Sequence, residues 1–276
     1  MNPKYPVYIP TKNRFDSRIT VRSLQEMHIP FYVVIEPQEY DDYISILDKS
    51  NILELPWSMP ESSNELFKAR NWIKEHSISI GAKRHWQLDD NIKGFERLNK
   101  NRRGQVTSGT IFRCAEDFVD RYENVAISGF EYRQFSGGAR RKKPPFRLNA
   151  RIYSCSLVNN SIPHKWEDVY NDDTDICIRV MKDGWCTVLF HCFIQNKSAT
   201  MTISGGNTDI YQEDGRLKMA ESLAEKHPDI CSVVKKFNRW QHDVNYDSFK
   251  KNKLIRKEGL VIKKGVNNYG MIGVEV

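Results

Sequence analysis

The sequence predicts an α/β chain: a mixed sheet flanked by helices, with a helical and hairpin extension at its C-terminal end. Three observations predict it. Short apolar runs alternate with amphipathic stretches from Tyr5 to Asn91, the pattern of strands joined by crossover helices. The run Arg84-His85-Trp86-Gln87-Leu88 lies between Gly81 and Gly94 and ends in Asp89-Asp90-Asn91. Ligands of open α/β sheets collect at such carboxyl ends of strands. Finally, 39% of the 276 residues are hydrophobic, enough to bury a large core.

Residues Tyr5 to Pro10 alternate as a first strand and end in Thr11-Lys12-Asn13-Arg14, which leads through Asp16 and Ser17 into a helix reaching Met27. A strand, a basic loop and a helix start together form a place where phosphates bind. Phe31 to Ile35 is a second strand, and Glu36 at its tip can accept hydrogen bonds from a ribose or a base. Gln38 to Leu47 has helical spacing, and Ile52 to Leu55 is a third strand stopped by Pro56 and Pro60. Ser62-Ser63-Asn64-Glu65 has the spacing of a capping box, ahead of a helix with Leu66, Ala69 and Ile73 on one side. Arg70 and Asn71 lie one turn in, from where an arginine can reach a phosphate at the Asp89-Asp90 tip. Two hard oxygen donors there, with Asn91 beside them, suit Mn²⁺ or Mg²⁺ holding a diphosphate. They suit an acidic turn as well. No GxGxxG or GxxxxGKS/T occurs, so neither a dinucleotide fingerprint nor a P-loop is supported.

Further on, Cys114 to Tyr122 reads as a helix, and Val125 to Ser128 and Glu131 to Phe135 as two strands. Ser136 to Pro145 is a basic loop, and Phe146 to Leu157 returns to strand character. Trp166 to Asp175 packs five carboxylates into ten residues before a short helix that Gly184 stops. Asp172, Asp173 or Thr174 is the natural N-cap. Capping and dipole complementarity account for two of the carboxylates and leave at least one for chemistry. Trp185 to Ile194 is an apolar strand holding His191, which in such a setting is more often packed core than metal ligand. Gly215 to Lys226 has helical patterning, Val233 to Trp240 reads as a second helix, and Leu254 to Ile262 as a hairpin.

The net charge is +7, but between Arg97 and Arg151 thirteen Lys or Arg face five acids. That segment, with Arg102, Arg103, Arg140, Arg141, Lys142 and Lys143, is the footprint expected for a polyanion, nucleic acid above all. Six cysteines without a CxxC pair read as free thiols, not a zinc or disulfide framework. Neither a signal peptide nor a membrane-spanning run is evident, so the expected location is the cytoplasm.

Taken together, Leu88-Asp89-Asp90-Asn91 resembles the DxD-type element of GT-A-fold, Rossmann-type glycosyltransferases. Asp172-Asp173-Thr174-Asp175 with Arg179 and Gly184 resembles the acidic helix of their inverting members. Tyr8 to Arg14 and Val33 to Pro37 carry a closer likeness to the phage TET-associated glycosyltransferases, which attach sugars to 5-hydroxymethylpyrimidines in DNA. The resemblance spans roughly residues 5 to 197. It implies a GT-A-like catalytic domain over residues 1–200, with a nucleotide-binding half to about 95 and an acceptor half after it. Residues 201–276 would be a helical, basic extension.

By that resemblance Thr11, Arg14 and Glu36 hold the nucleotide, and Arg70 and Asn71 its diphosphate. Asp90 binds the metal, and Asp89 binds the ribose or helps with the metal; outside the resemblance, His191 is the minority candidate for a further ligand. Asp173, with Asp172 beside it, is the general base. The implied donor is a UDP-sugar, the cation Mn²⁺ or Mg²⁺, the acceptor double-stranded DNA with modified bases and the setting an infected bacterial cell. No membrane or protein partner is implied. Two other readings are open: a transferase of the same fold that glycosylates a polysaccharide or protein, and a basic nucleic-acid-binding protein without catalysis.

Overall fold

The computed structural model describes residues 1–59, 65–99, 102–136, 144–167, 169–198 and 215–261. In chain order these form β1 (Val7–Pro10), α1 (Ile19–Glu26), β2 (Tyr32–Ile35), α2 (Tyr40–Ile44), β3 (Ile52–Glu54), α3 (Leu66–Ser79) and β4 (Arg84–Leu88). Then come β5 (Ile92–Asn99), β6 (Arg102–Gln105), α4 (Thr110–Val119), β7 (Val125–Tyr132), β8 (Phe146–Leu148) and β9 (Cys155–Asn159). The order closes with α5 (Asp172–Lys182), β10 (Cys186–Lys197), α6 (Gly215–Lys226), β11 (Cys231–Lys236) and β12 (Arg239–Val244).

Among the described residues ten strands form one sheet in the order β3-β2-β1-β4-β9-β7-β10-β5-β6, with β8 on β10. β3, β2, β1 and β4 are parallel, β9 runs against β4 and β7, and β10 is parallel to β7 but antiparallel to β5. The class is therefore α/β with a mixed, helix-flanked sheet. The carboxyl ends of β1, β2, β4, β7 and β10 all reach one edge.

Strand alternation places the helices. In β1 and β2, Val7, Ile9, Val33 and Ile35 enter a core shared with Leu24 of α1 and Phe112 of α4. Tyr8 and Val34 point the other way, onto Ala69 and Ile73 of α3. A one-residue slip would exchange the two faces, so the register is firmly set. Under β4 the rings of Trp86, Phe95, Phe112 and Phe130 pack with centroids 4.9 to 6.1 Å apart. The Trp86 indole finds its acceptor in Glu116 at 2.8 Å.

Gly129 of β7 is where only a glycine fits. A Cβ there would stand 2.3 Å from the Cys155 carbonyl oxygen and 2.4 Å from Ile152 Cγ2. Gly129→Ala is expected to cost about 1–3 kcal/mol by forcing β7 from β9. Urea unfolding would report it as a lower midpoint at unchanged slope. An unchanged midpoint would show that the two strands part freely.

Several elements differ from the sequence expectations. Glu131 to Phe135 is no separate strand: β7 runs unbroken to Tyr132. The single strand expected over Phe146 to Leu157 is split, because Asn149 and Ser154 both adopt positive φ. β5 and β6 were not foreseen. Glu65 is the N-cap of α3 with no side-chain cap bond, while Ser62 to Asn64 of the expected capping box lie outside the described residues. The N-cap of α5 is Asn171, in the left-handed region, so Asp172, Asp173 and Thr174 are already helical.

Val233 to Trp240 is not a helix. Its halves pair as β11 and β12 around Phe237 and Asn238, two left-handed residues that reverse the chain. From Leu254 to Val261 there is a turn at Gly259 and an isolated bridge from Arg256 to Tyr122 where the hairpin was expected. The α6 residue Leu223 and β11's Cys231 share a core with Ile176 and Val180 of α5, so α6 and the β11–β12 hairpin are packed against the main sheet's helix layer. All six cysteines are free. No described helix is long and apolar enough to cross a membrane.

Candidate active site

A cleft of about 1260 Å³ opens along the edge where the parallel strands end. Thr11, Lys12 and Arg14 enter it from β1, Glu36 from β2, Asp89 and Asp90 from β4. Across from them stand Asp172 and Asp173 at the start of α5. Thr20 of α1 fixes the acidic tip. Its hydroxyl donates to the Asp89 carbonyl at 2.6 Å and accepts from the Ile92 amide at 2.8 Å, and its own amide donates to the Asp90 carbonyl at 3.2 Å.

Arg70 joins the two acidic elements. It is 3% exposed, with Nε 2.8 Å from Asp172 and Nη2 3.3 Å from Asp173 and 3.5 Å from Asp89. Nη1 donates to Gln87 Oε1 at 3.2 Å, and Gln87 Nε2 returns a bond to the Arg70 carbonyl at 3.1 Å. Behind Gln87 lies His85, whose Nδ1 is 2.6 Å from Asn160 Oδ1 and whose Nε2 is 2.8 Å from Gln87 Nε2. Asn160 uses its amide nitrogen on Ser77 and Ala82, so its oxygen accepts, and His85 carries its proton on Nδ1. Burial holds His85 down to about 3, so this chain is neutral and orients Arg70 without competing for its carboxylates.

The four carboxylates face different fields. Burial favours the neutral form of Asp89, but Lys197 and Arg70 outweigh it and hold this carboxyl well below the usual range. Lys197, at the end of β10, donates to Asp89 Oδ2 at 2.6 Å and to Ser154 Oγ at 2.9 Å. Asp90 pairs with Arg14 and accepts from the Thr11 hydroxyl at 2.9 Å, yet burial still leaves it raised. Burial also raises Asp172, against the pull of Arg70. Asp173 is pushed up to about 7 by burial and by the charges of Asp172 and Asp89, which Arg70 offsets only in part. A carboxylate that titrates near neutrality beside a strongly ionised one is the division of labour that acid–base chemistry uses.

The remaining acids of the cluster have other tasks. Asp175 pairs with Arg179 at 2.7 Å and His227 at 3.0 Å, tying α5 to the end of α6. Glu167 is an exposed partner of Arg179, and Asp168 lies outside the described residues.

Of the residues singled out in the sequence, Thr11, Arg14, Glu36, Arg70, Asp89, Asp90, Asp172 and Asp173 come together in this cleft. Glu36 stands 3.2 Å from Lys12 and accepts from Gln38 at 2.6 Å and from the Met59 amide at 3.1 Å. Arg70 does not stand ready for a diphosphate, because its guanidinium is spent beneath the carboxylates. Asn71 turns away altogether and clamps the Trp166 backbone, with bonds of 2.7 and 2.9 Å. His191 lies six residues before Lys197 on β10, roughly 20 Å at the rise of a strand. It meets the Pro144 carbonyl at 3.1 Å and Glu131 at 3.5 Å and is not part of the cleft lining, so it does not join Asp89 and Asp90. Arg102 and Arg103 lie on β6, exposed at the sheet's end, while Arg140, Arg141, Lys142 and Lys143 lie outside the described residues. Sequence reasoning missed Lys197, Ser154, Arg151 and the β12 residues at the cleft mouth. The one local signal was the basic end of the β10 strand.

The donor set at the tip fits a divalent cation that arrives with a diphosphate. Asn91 Oδ1 is buried without a hydrogen-bond partner beside the two carboxylates. One or two carboxylates plus substrate phosphates are a common Mg²⁺ environment. Among the described residues no group of three or more His, Cys, Asp or Glu could hold a metal by itself.

A family model described as TET-Associated Glycosyltransferase matches residues 5–206. Among solved structures, the chain is similar to a putative nucleotide-diphospho-sugar transferase from Desulfovibrio desulfuricans G20. That likeness has 10% identity and a TM-score of 0.42, over 82% of this chain and 98% of that one. It is also similar to the glycosyltransferase GlyE of Streptococcus pneumoniae TIGR4, at 14% identity and a TM-score of 0.42, over 82% of this chain and 64% of GlyE. Among curated proteins none matches.

Proposed function

The chain belongs to the TET-associated glycosyltransferase family, and from that premise we propose that it transfers a sugar from a UDP-sugar to 5-hydroxymethylcytosine, or a related modified base, in double-stranded DNA. The observation that carries the reading is the convergence of two acidic elements on one cleft. The strand tip Asp89-Asp90 and the helix start Asp172-Asp173 face each other across Arg70.

In this reading Thr11, Lys12, Arg14 and Glu36 hold the nucleotide at the ends of β1 and β2. Asp173 takes the proton from the base's hydroxymethyl group as its oxygen bonds to the anomeric carbon, and the bond from that carbon to the diphosphate breaks. Attack from the side opposite the diphosphate inverts the anomeric centre in one displacement. Asp172, held closer to Arg70 at 2.8 Å, positions that guanidinium. Lys197 keeps Asp89 ionised and adds positive charge on the leaving-group side.

Asp89, Asp90 and Asn91 would hold Mn²⁺ or Mg²⁺, which when bound neutralises charge developing on the departing diphosphate. Because Arg14 and Lys197 already pair with these carboxylates, the cation is expected to bind weakly without UDP and tightly with it. Removing divalent ions with EDTA should lower transfer on the order of a hundredfold or more, and Mn²⁺ or Mg²⁺ should restore it. Undiminished activity in EDTA would assign charge neutralisation to Lys197 and Arg14 alone.

The acceptor is tested by UDP release. Release from a UDP-sugar should accelerate when duplex DNA containing 5-hydroxymethylcytosine is added, and not with unmodified duplex. Release that is indifferent to DNA but stimulated by a polysaccharide or protein would keep the transferase and overturn the acceptor.

A further inference from the structure

Building on the DNA-acceptor reading, we propose that the β11–β12 hairpin is the element that opens the duplex, with Phe237 entering the base stack and Trp240 receiving the base that leaves it. The hairpin lies beyond residues 5–206, which the family model matches.

Its turn is built at a cost that packing does not explain. The register closes on Lys236 opposite Arg239, leaving Phe237 and Asn238 as a two-residue turn with φ of 53° and 57°. Turns of this kind favour Asn-Gly, and a bulky ring in the left-handed region is an outlier. Phe237 is also 92% exposed, so no core contact repays the conformation. Strain of this kind is retained where function needs it.

The surroundings select the partner. Lys235, Lys236 and Arg239 flank Phe237 in sequence, and the hairpin's one acid, Asp243, pairs with Lys236 at 3.0 Å. A single ring among cations is too small for a specific protein interface, which takes about 800 Å² from each side. It does suit a wedge that separates stacked bases while the flanking cations meet phosphates. The hairpin's other strand turns into the active cleft, where Arg239, Trp240 and His242 are part of the wall. Trp240 carries Lys235 Nζ 5.5 Å from its ring centre, and across the mouth the Arg151 guanidinium lies 4.6 Å from the Tyr153 ring. Trp240 and Tyr153 line the same cleft as Asp173, and a base swung out of the helix can stack on such rings.

Phe237→Asn tests the proposal without endangering the fold, because Asn tolerates the left-handed turn. Transfer is measured to a 5-hydroxymethylcytosine paired in a duplex, to the same base opposite an abasic site, and to the same strand alone. The variant should keep its melting temperature, its UDP-sugar hydrolysis and its rate on the single strand. Its rate on the paired duplex should fall about 5- to 150-fold, the worth of one aromatic–base stack. The abasic duplex should recover most of that loss. In parallel, 2-aminopurine beside the target should brighten on binding wild type and stay dim with the variant. Equal rates on all three acceptors, or an equal fall on all three, would overturn the wedge. If wild type hydrolyses UDP-sugar but modifies none of the DNA acceptors, the acceptor reading fails and the wedge with it.

Discussion

Asp173→Asn is expected to lower kcat about 100- to 10,000-fold, the usual worth of a general base, while UDP affinity stays nearly constant. The amide keeps the shape of the carboxylate but cannot accept the hydroxymethyl proton. Because Asp173 titrates at about 7, the wild-type rate should fall with one proton below neutral pH, and the variant's residual rate should lose that limb. Stability should move the opposite way. Between about pH 4 and pH 7 folded Asp173 retains a proton that the unfolded chain has released, so its burial costs stability as pH rises through that window. The Asn variant escapes this cost and should melt higher than wild type at pH 8. A variant that loses activity together with stability would point to a structural role. Full activity in Asp173→Asn with loss in Asp172→Asn would move the base by one residue.

Arg70→Gln is expected to be the most destabilising change at the site. It removes the buried cation among Asp89, Asp172 and Asp173 and leaves three carboxylates that repel one another. Breaking a buried ion pair from one side costs about 3–5 kcal/mol, and the surplus of negative charge makes the cost depend on pH. In the variant the carboxylates would bind protons more readily when folded, so the loss should be larger at pH 8 than at pH 5. Urea unfolding at both pH values measures this. Arg70→Lys should recover part of the stability but little of the activity, because an ammonium cannot span both acidic elements and Gln87 as the guanidinium does. An equal loss at pH 5 and pH 8 would show that packing, not charge, is what Arg70 supplies.

The contrast between Asp173 and Arg70 shows what the sequence could convey. The acidic strand tip and the acidic helix start are local patterns, and the alternation of β1, β2 and β4 with α1 and α3 is local too. All were readable. Arg70 was placed at the acidic tip, but its ion pairs were not readable, because Asp172 and Asp173 come from a helix far along the chain. Lys74 was equally opaque: its ammonium is buried on the Ile162 and His164 carbonyls at 2.6 and 2.8 Å. Lys197 reaches Asp89 across 108 residues, a pairing that no window of sequence contains. Asn71, one residue from Arg70, was read as a second phosphate contact. A helix turns about 100° per residue, however, and that rotation carries it to the Trp166 backbone instead. The hairpin after α6 was read as a helix because its turn has no Gly or Pro. Asn238 is an ordinary turn residue, but Phe237 beside it is a type that seldom makes a reversal.

The most direct measurement weighs the product. Duplex DNA containing 5-hydroxymethylcytosine is incubated with the protein, Mn²⁺ and a panel of UDP-sugars, then digested to nucleosides for mass spectrometry. The expected result is a hexose or pentose increment on the modified nucleoside alone, formed by wild type and lost with Asp173→Asn. Unchanged nucleosides with every donor, while UDP is released to another acceptor, would contradict the account.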